Sequence, residues 1–164
     1  MNLVGLLMLQ QITFYGGETR YQLGSQNGTS LLGGIAAAVP MTKIVRTDLA
    51  VVAFDYSGSS LLEGWTVTGT RVATELGIYL EGQGGWLRPY VGGGPGLSLS
   101  HRRWNQEPAR FGRLTETVHG AVGASFLMSR RWAMRLDVRA RGIVGPGWTS
   151  DLTVGLTRRQ LRRR

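Results

Sequence analysis

The chain is predicted to be all-β: a closed, antiparallel, up-and-down barrel of eight strands, of the transmembrane type. Three observations predict it. Apolar and polar residues alternate with period two along much of the 164-residue sequence, and no stretch sustains helical periodicity. Glycine is abundant (25 residues) and proline scarce (5), which suits strands that bend and pack closely. No apolar run approaches the ~20 residues that a membrane helix needs, so a bilayer can be crossed only by strands. With 42% hydrophobic and 18% charged residues the chain is too apolar to be disordered, and its length suits one domain.

Turn chemistry places the first three segments. Strands are expected at 4–15, at 19–25 extended towards 38, and at 43–56. Gly16-Gly17 and Asn27-Gly28 both offer turns, so the first hairpin is expected near one of them. Phase places the other five. In the fourth segment (65–81) Val72, Leu76, Ile78 and Leu80 oppose Arg71, Glu75, Gly77, Tyr79 and Glu81. In the fifth (86–101) Leu87, Val91, Leu97 and Leu99 oppose Trp86, Arg88, Tyr90, Gly92, Gly94, Gly96, Ser98 and Ser100. The sixth (113–128) sets Val118, Val122, Ala124 and Phe126 against Thr115, Thr117, His119, Gly123 and Ser125. The seventh (131–144) sets Trp132, Met134, Leu136, Val138 and Ala140 against Arg131, Arg135, Asp137, Arg139 and Arg141. The eighth (149–159) sets Leu152, Val154 and Leu156 against Asp151, Thr153, Gly155 and Thr157.

Alternation does not say which face is inside. A soluble barrel packs its apolar face centrally, whereas a membrane barrel turns it to lipid. The polar faces here mix both signs of charge with glycine and serine. An arginine on the lipid face at the bilayer midplane would cost about 2–4 kcal/mol, which forces the arginine face of the seventh segment inward. The expected luminal charge network is Arg71, Arg88, Arg135, Arg139 and Arg141 against Glu75, Glu81, Asp137 and Asp151, with His119 on the same face. That set is close to neutral, as buried ions require. Connections alternate between short turns (40–42, 82–85, 129–130) and longer loops (57–64, 102–112, 145–148). Trp65, Tyr79, Trp86, Tyr90, Trp132 and Trp148 lie near segment ends, where an interfacial aromatic girdle is expected.

The formal charge of +9 is carried by 18 arginines and Lys43, and it is concentrated at the C-terminal end: Arg158, Arg159, Arg162, Arg163 and Arg164. One barrel domain over 1–160 and a basic tail over 161–164 are expected. The tail alone is weak ground for nucleic-acid binding, and none is expected. Cysteine is absent, which excludes disulfides, thiol nucleophiles and cysteine-based zinc sites. Met1 to Leu9 is apolar but lacks a basic leader and a clear cleavage site, so an export signal is expected to have been trimmed or to lie outside the sequence.

From Arg71 onward, over about 90 residues, the chain resembles the outer-membrane β-barrel domain family, the small barrels akin to outer-membrane protein A. Residues 87–96, Leu-Arg-Pro-Tyr-Val-Gly-Gly-Gly-Pro-Gly, are similar to one strand of that family. Residues 120–126, the 129–131 turn and Leu136-Asp137-Val138-Arg139 resemble its penultimate hairpin, and residues 151–157 its closing strand. The resemblance implies the bacterial outer membrane, contact with its lipid and lipopolysaccharide, insertion by the outer-membrane assembly machinery, and a monomer. It departs at the end: members usually finish on an aromatic residue, and this chain runs through Gln160-Leu161 to three arginines.

Chemistry-bearing signals are few. Gly92 to Gly96 lacks the Lys-Ser/Thr and following helix of a phosphate loop and is read as strand. The two histidines have no metal-ligand spacing, so neither metal nor cofactor is expected. His101 shares the outward phase of Leu97 and Leu99, and cross-hairpin pairing is expected to bring it near Glu116. An outward His-Glu pair would suit a lipid A-modifying hydrolase, but no serine nucleophile accompanies it. The loop from His101 to Arg113 is basic, and Arg102, Arg103, Arg110 and Arg113 are candidates for contact with lipopolysaccharide phosphates. The leading expectation is a structural, envelope-integrity or surface-interaction barrel, neither an enzyme nor a general pore, since eight strands leave an interior filled by side chains. The alternatives are a soluble small-ligand-binding barrel and, behind it, the lipid A-modifying enzyme.

Overall fold

Residues whose side chains alternate in polarity fold into strands whose two faces meet different surroundings. The computed structural model describes residues 11–24, 26–59, 66–104, 110–112, 114–145 and 147–159. Its strands are β1 (Gln11–Leu23), β2 (Gln26–Pro40), β3 (Val45–Ser59), β4 (Thr66–Glu81), β5 (Leu87–Trp104), β6 (Arg110–Phe111), β7 (Thr115–Leu127), β8 (Trp132–Ile143) and β9 (Gly147–Arg159). Every pairing is antiparallel, and β9 returns to pair with β1, which closes the sheet. The two-residue β6 continues β7: Ser98 faces Thr115 while His101 faces Phe111, so the β6–β7 side holds one extra residue, as a bulge does. Taken with β7, it leaves a closed eight-stranded antiparallel barrel. Closure pairs the strand edges, which hydrocarbon would otherwise leave unsatisfied.

The barrel is inside-out. Leu136, Val122 and Leu97 are 42%, 56% and 48% exposed on the outer wall, whereas Arg139 is 6% exposed within. The soluble alternative needs the reverse and is overturned. On β4 the outward row Val72, Thr74, Leu76, Ile78 and Leu80 spans about 26 Å of strand at ~3.3 Å per residue. Tilted by ~40°, that row rises about 20 Å, close to the ~25 Å apolar band of such barrels. Beyond it, towards the end that carries the β3–β4 and β5–β6 connections (the loop end), outward residues turn polar: Thr68 and Thr70 on β4, Asp55 on β3, Glu18 and Arg20 on β1. The opposite end holds Gln11 and Arg159, paired across β1 and β9, and is the terminal end.

Several sequence expectations are corrected. The first reversal follows Gly24, a few residues before Asn27-Gly28, and Gly16-Gly17 lies within a strand; 11–15 and 19–23 therefore belong to one strand, β1, and the extension towards 38 is a separate strand, β2. Gly24 has φ of 66°, which favours glycine, whereas a Cβ on Gly17 would lie 2.0 Å from the Leu152 carbonyl oxygen. Gly17 therefore serves close packing of β1 on β9 rather than reversal. The expected 145–148 loop is shorter than read, because β9 starts at Gly147 and Trp148 pairs with Gln22. Tyr79 and Tyr90 are interior, not girdle residues: both are buried, ring edge to ring face with centroids 6.0 Å apart. Trp86 goes the other way; it lies just before β5, 67% exposed and tilted against Phe126. Trp132 and Trp148 are exposed at opposite ends of the wall, with the Trp148 indole donating to Gln22 Oε1 at 3.0 Å. Trp65, residues 4–10 and the tail 161–164 lie outside the described residues.

The interior has two parts. Towards the loop end Tyr21, Leu23, Leu32, Val52, Phe54, Tyr56 and Ile143 form an apolar cluster. From mid-barrel to the terminal end the filling is ionic.

Candidate functional site

Inward positions of β3, β4, β5, β8 and β9 supply the ions, because each strand presents alternate residues to the lumen. One cluster is centred on Glu75 of β4. Its carboxylate accepts from Arg139 Nη1 at 2.5 Å and from Arg141 Nε. Arg141 also donates to Thr149 Oγ1 at 2.8 Å and lies 3.1 Å from Asp151, whose other oxygen accepts from Thr19 at 2.7 Å. The Arg139 guanidinium sits 5.8 Å from the Tyr15 ring centroid. Tyr79 Oη is 3.2 Å from His119 Nε2, at the edge of this cluster.

The second cluster lies nearer the terminal end. Asp48 accepts from Arg46 Nε at 2.7 Å and from Arg135 Nη1 at 3.2 Å. Arg135 also reaches Asp137 at 3.3 Å and donates to Tyr90 Oη at 3.0 Å, while Tyr90 donates to Asp137. The Arg46 and Arg135 guanidinium carbons are 4.9 and 4.5 Å from the Tyr90 ring centroid, a cation–π arrangement. Arg46 also binds Glu81 at 2.9 Å, and Arg88 is 3.8 Å from the same carboxylate. Arg71 donates to Ser98 at 3.2 Å in the half towards the loop end.

The structure thus places all ten residues of the expected charge network on the inner face, and brings Glu75, Arg139, Arg141 and Asp151 into one cluster and Arg135 and Asp137 into the other. Sequence reasoning missed Arg46 and Asp48. From Leu49 to Phe54 β3 is apolar on both faces, so its phase is unreadable there; the signal lay in Arg46 and Asp48 two apart, just before that run. Paired ions of this kind close a lumen and hold strands in register.

Of the loop-end arginines, Arg103 is exposed on β5, Arg102 pairs through its backbone with Gly69 and Arg110, and Arg113 lies outside the described residues. The expected His101–Glu116 pair does not form. Glu116 faces Leu97, four residues from His101 along β5, a separation of about 13 Å at ~3.3 Å per residue. Even without the one-residue bulge between β6 and β7, that register would set His101 opposite Gly112, so the expectation misses by four residues. His101 instead faces Thr70, which donates to Asp55 at 2.7 Å.

With the ring closed and the faces inverted, the chain can be set beside known proteins. Neisserial surface protein A superposes with a TM-score of 0.71 at 10% identity, over 92% of this chain and 96% of that one. The fold is that of the small outer-membrane barrels. The N-terminal β-barrel domain of Pseudomonas aeruginosa OprF follows at 0.54 and 18% identity, covering 90% and 97%. Ail, the attachment invasion locus protein of Yersinia pestis, solved with the heparin analogue sucrose octasulfate, matches at 0.59 and 8%, covering 93% and 100%. No family model matches the sequence, and no curated protein does. Identities this low establish architecture alone.

Proposed function

We propose that this chain is a bacterial outer-membrane protein with a structural and surface-contact role. One observation carries the reading: an apolar wall surrounds a lumen in which buried arginines and carboxylates neutralise one another. A lumen filled by side chains serves rigidity and does not suit a diffusion pore. In the orientation we assign, the terminal end faces the periplasm and the loop end faces outwards. Arg103, exposed near the end of β5, then stands at the height of lipopolysaccharide phosphates, which arginine forks bind well, and the sequence nearby adds Arg102, Arg110 and Arg113. The sulfated ligand held by Ail is in keeping with polyanion contact by a barrel of this shape. The loss of the His101–Glu116 pairing weighs against the lipid A-modifying alternative.

Membrane fractionation with a heat-modifiability gel tests the first part. The protein is expected in the detergent-extracted envelope, with mobility that shifts on boiling; a soluble product without a shift would remove the reading. Replacing the four loop arginines with alanine tests the second. Lipopolysaccharide binding at low salt should weaken, and unchanged binding would remove the surface-contact role while leaving the barrel.

A further inference from the structure

The terminal end carries an excess of positive charge that the luminal network does not absorb. Lys43, Arg88, Arg130, Arg131, Arg158 and Arg159 belong to its turns and strand ends, and the sequence goes on to Arg162, Arg163 and Arg164. The described residues of this end (11–12, 40–45, 82–88, 127–133 and 157–159) contain no aspartate or glutamate. Glu81, the last residue of β4, is the carboxylate nearest to them. A cavity of about 420 Å³ opens here, with Lys43, Arg46, Arg88, Arg159, Gln83 and Glu81 in its wall.

Two donors in this wall lack acceptors. Arg46 is 2% exposed; its Nε is bound by Asp48 and its Nη1 by Glu81, but its Nη2 has no hydrogen-bond partner among the described residues. Arg88 Nε is likewise buried without a partner, and its Nη1, at 3.8 Å from Glu81, is beyond hydrogen-bond distance. Asp48 is already shared by Arg46 and Arg135 and has no charge to spare. Buried guanidinium donors in native proteins are nearly always satisfied, and an acceptor that suits two guanidiniums lining one cavity is a tetrahedral oxyanion.

We propose that this mouth is a binding site for a phosphate-class anion, held by Arg46 and Arg88 with Lys43 and Arg159 supplying further charge. The chemistry is shared by free phosphate and by the headgroup of an anionic phospholipid. Exposed Met41 and Ile44, in the turn beside the cavity, put apolar surface at its edge, as a lipid would require.

The full-length chain, folded in zwitterionic detergent, is titrated calorimetrically with inorganic phosphate, and in nanodiscs of phosphatidylcholine with or without phosphatidylglycerol. Arg88→Gln, at the rim of the second ion cluster, and Lys43→Gln, outside both clusters, are compared with Arg20→Gln on the outer wall near the loop end. Each is required to keep its heat-dependent mobility shift. Either anion should bind, and Arg88→Gln should weaken it about tenfold, the loss of one charge-assisted contact, with Arg20→Gln unchanged. Saturable binding of free phosphate assigns a soluble anion; an Arg88-dependent effect seen only with phosphatidylglycerol assigns a headgroup. Absence of binding in both arms, or equal binding by Arg88→Gln and the parent, overturns the site.

Discussion

Glu75 is where the ionic interior is most exposed to test. Its side chain is 1% exposed and holds two arginines at once, Arg139 and Arg141. Replacing it with glutamine keeps the volume and removes the charge. Arg141 retains Asp151 and Thr149, so the loss falls mainly on Arg139, whose described ion pair is with Glu75 and whose other neighbour is the Tyr15 ring. Breaking a buried pair from one side costs about 3–5 kcal/mol, because the remaining charge stays buried without compensation. Removing Arg139 as well relieves that charge. Glu75→Gln should therefore cost about 3 kcal/mol, and Arg139→Gln a similar amount. The double variant should be more stable than their sum by at least about 1.5 kcal/mol. The assay is reversible urea unfolding in phospholipid vesicles, followed by tryptophan fluorescence and by gel mobility without boiling. Additive losses, or a Glu75→Gln cost below about 1 kcal/mol, would refute the reasoning, since the carboxylate would then not be neutralising a buried charge.

Three further outcomes follow from the same structure. Leu136→Arg, in the middle of the outer band, should cost about 2–4 kcal/mol in vesicles, while Thr68→Arg near the loop end should cost no more than about 1; equal costs would mean that the band is not in hydrocarbon. Tyr90→Phe keeps the ring beneath Arg46 and Arg135 but loses the hydroxyl that links Arg135 to Asp137, and should lower stability by about 1.5–3 kcal/mol in the same titration. Gly24→Ala should cost about 1–2 kcal/mol because φ is 66° there, whereas Gly16→Ala should stay within about 0.5, its nearest outside atom being 3.6 Å from the added carbon. The reverse ranking would return the first turn to Gly16-Gly17.

The parts legible in the sequence are those where the two faces of a strand differ in kind. On β8 from Met134 to Arg141 every second residue is apolar and the others are arginine or aspartate, so phase, direction and lumen follow from the residues and the cost of charge in lipid. β3 defeats the same reasoning, since Ala50, Val52 and Phe54 fill the interior while Leu49, Val51 and Ala53 meet lipid, and the polarity step at Arg46 and Asp48 is lost beside them. Gly16-Gly17 carries the composition of a turn, yet the role of Gly17 is set by the β9 backbone at Leu152 and Thr153, 135 and 136 residues away in sequence, which local chemistry does not show. His101 and Glu116 are kept apart by the register of β5 on β7, which sets Glu116 against Leu97, and register cannot be counted from alternation alone. Tyr79 and Tyr90 sit near strand ends like interfacial aromatics, but their inward phase and the cations beside them decide their place.

The central claim is the inversion of the two faces, and a nitroxide scan along β8 tests it most directly. The chain has no cysteine, so single cysteines from Trp132 to Ala140 can be labelled in urea and folded into vesicles. Contact with lipid-dissolved oxygen should peak at Trp132, Met134, Leu136, Val138 and Ala140 and fall at the positions between. Peaks at Arg135, Asp137 and Arg139, or no period of two, would contradict the account.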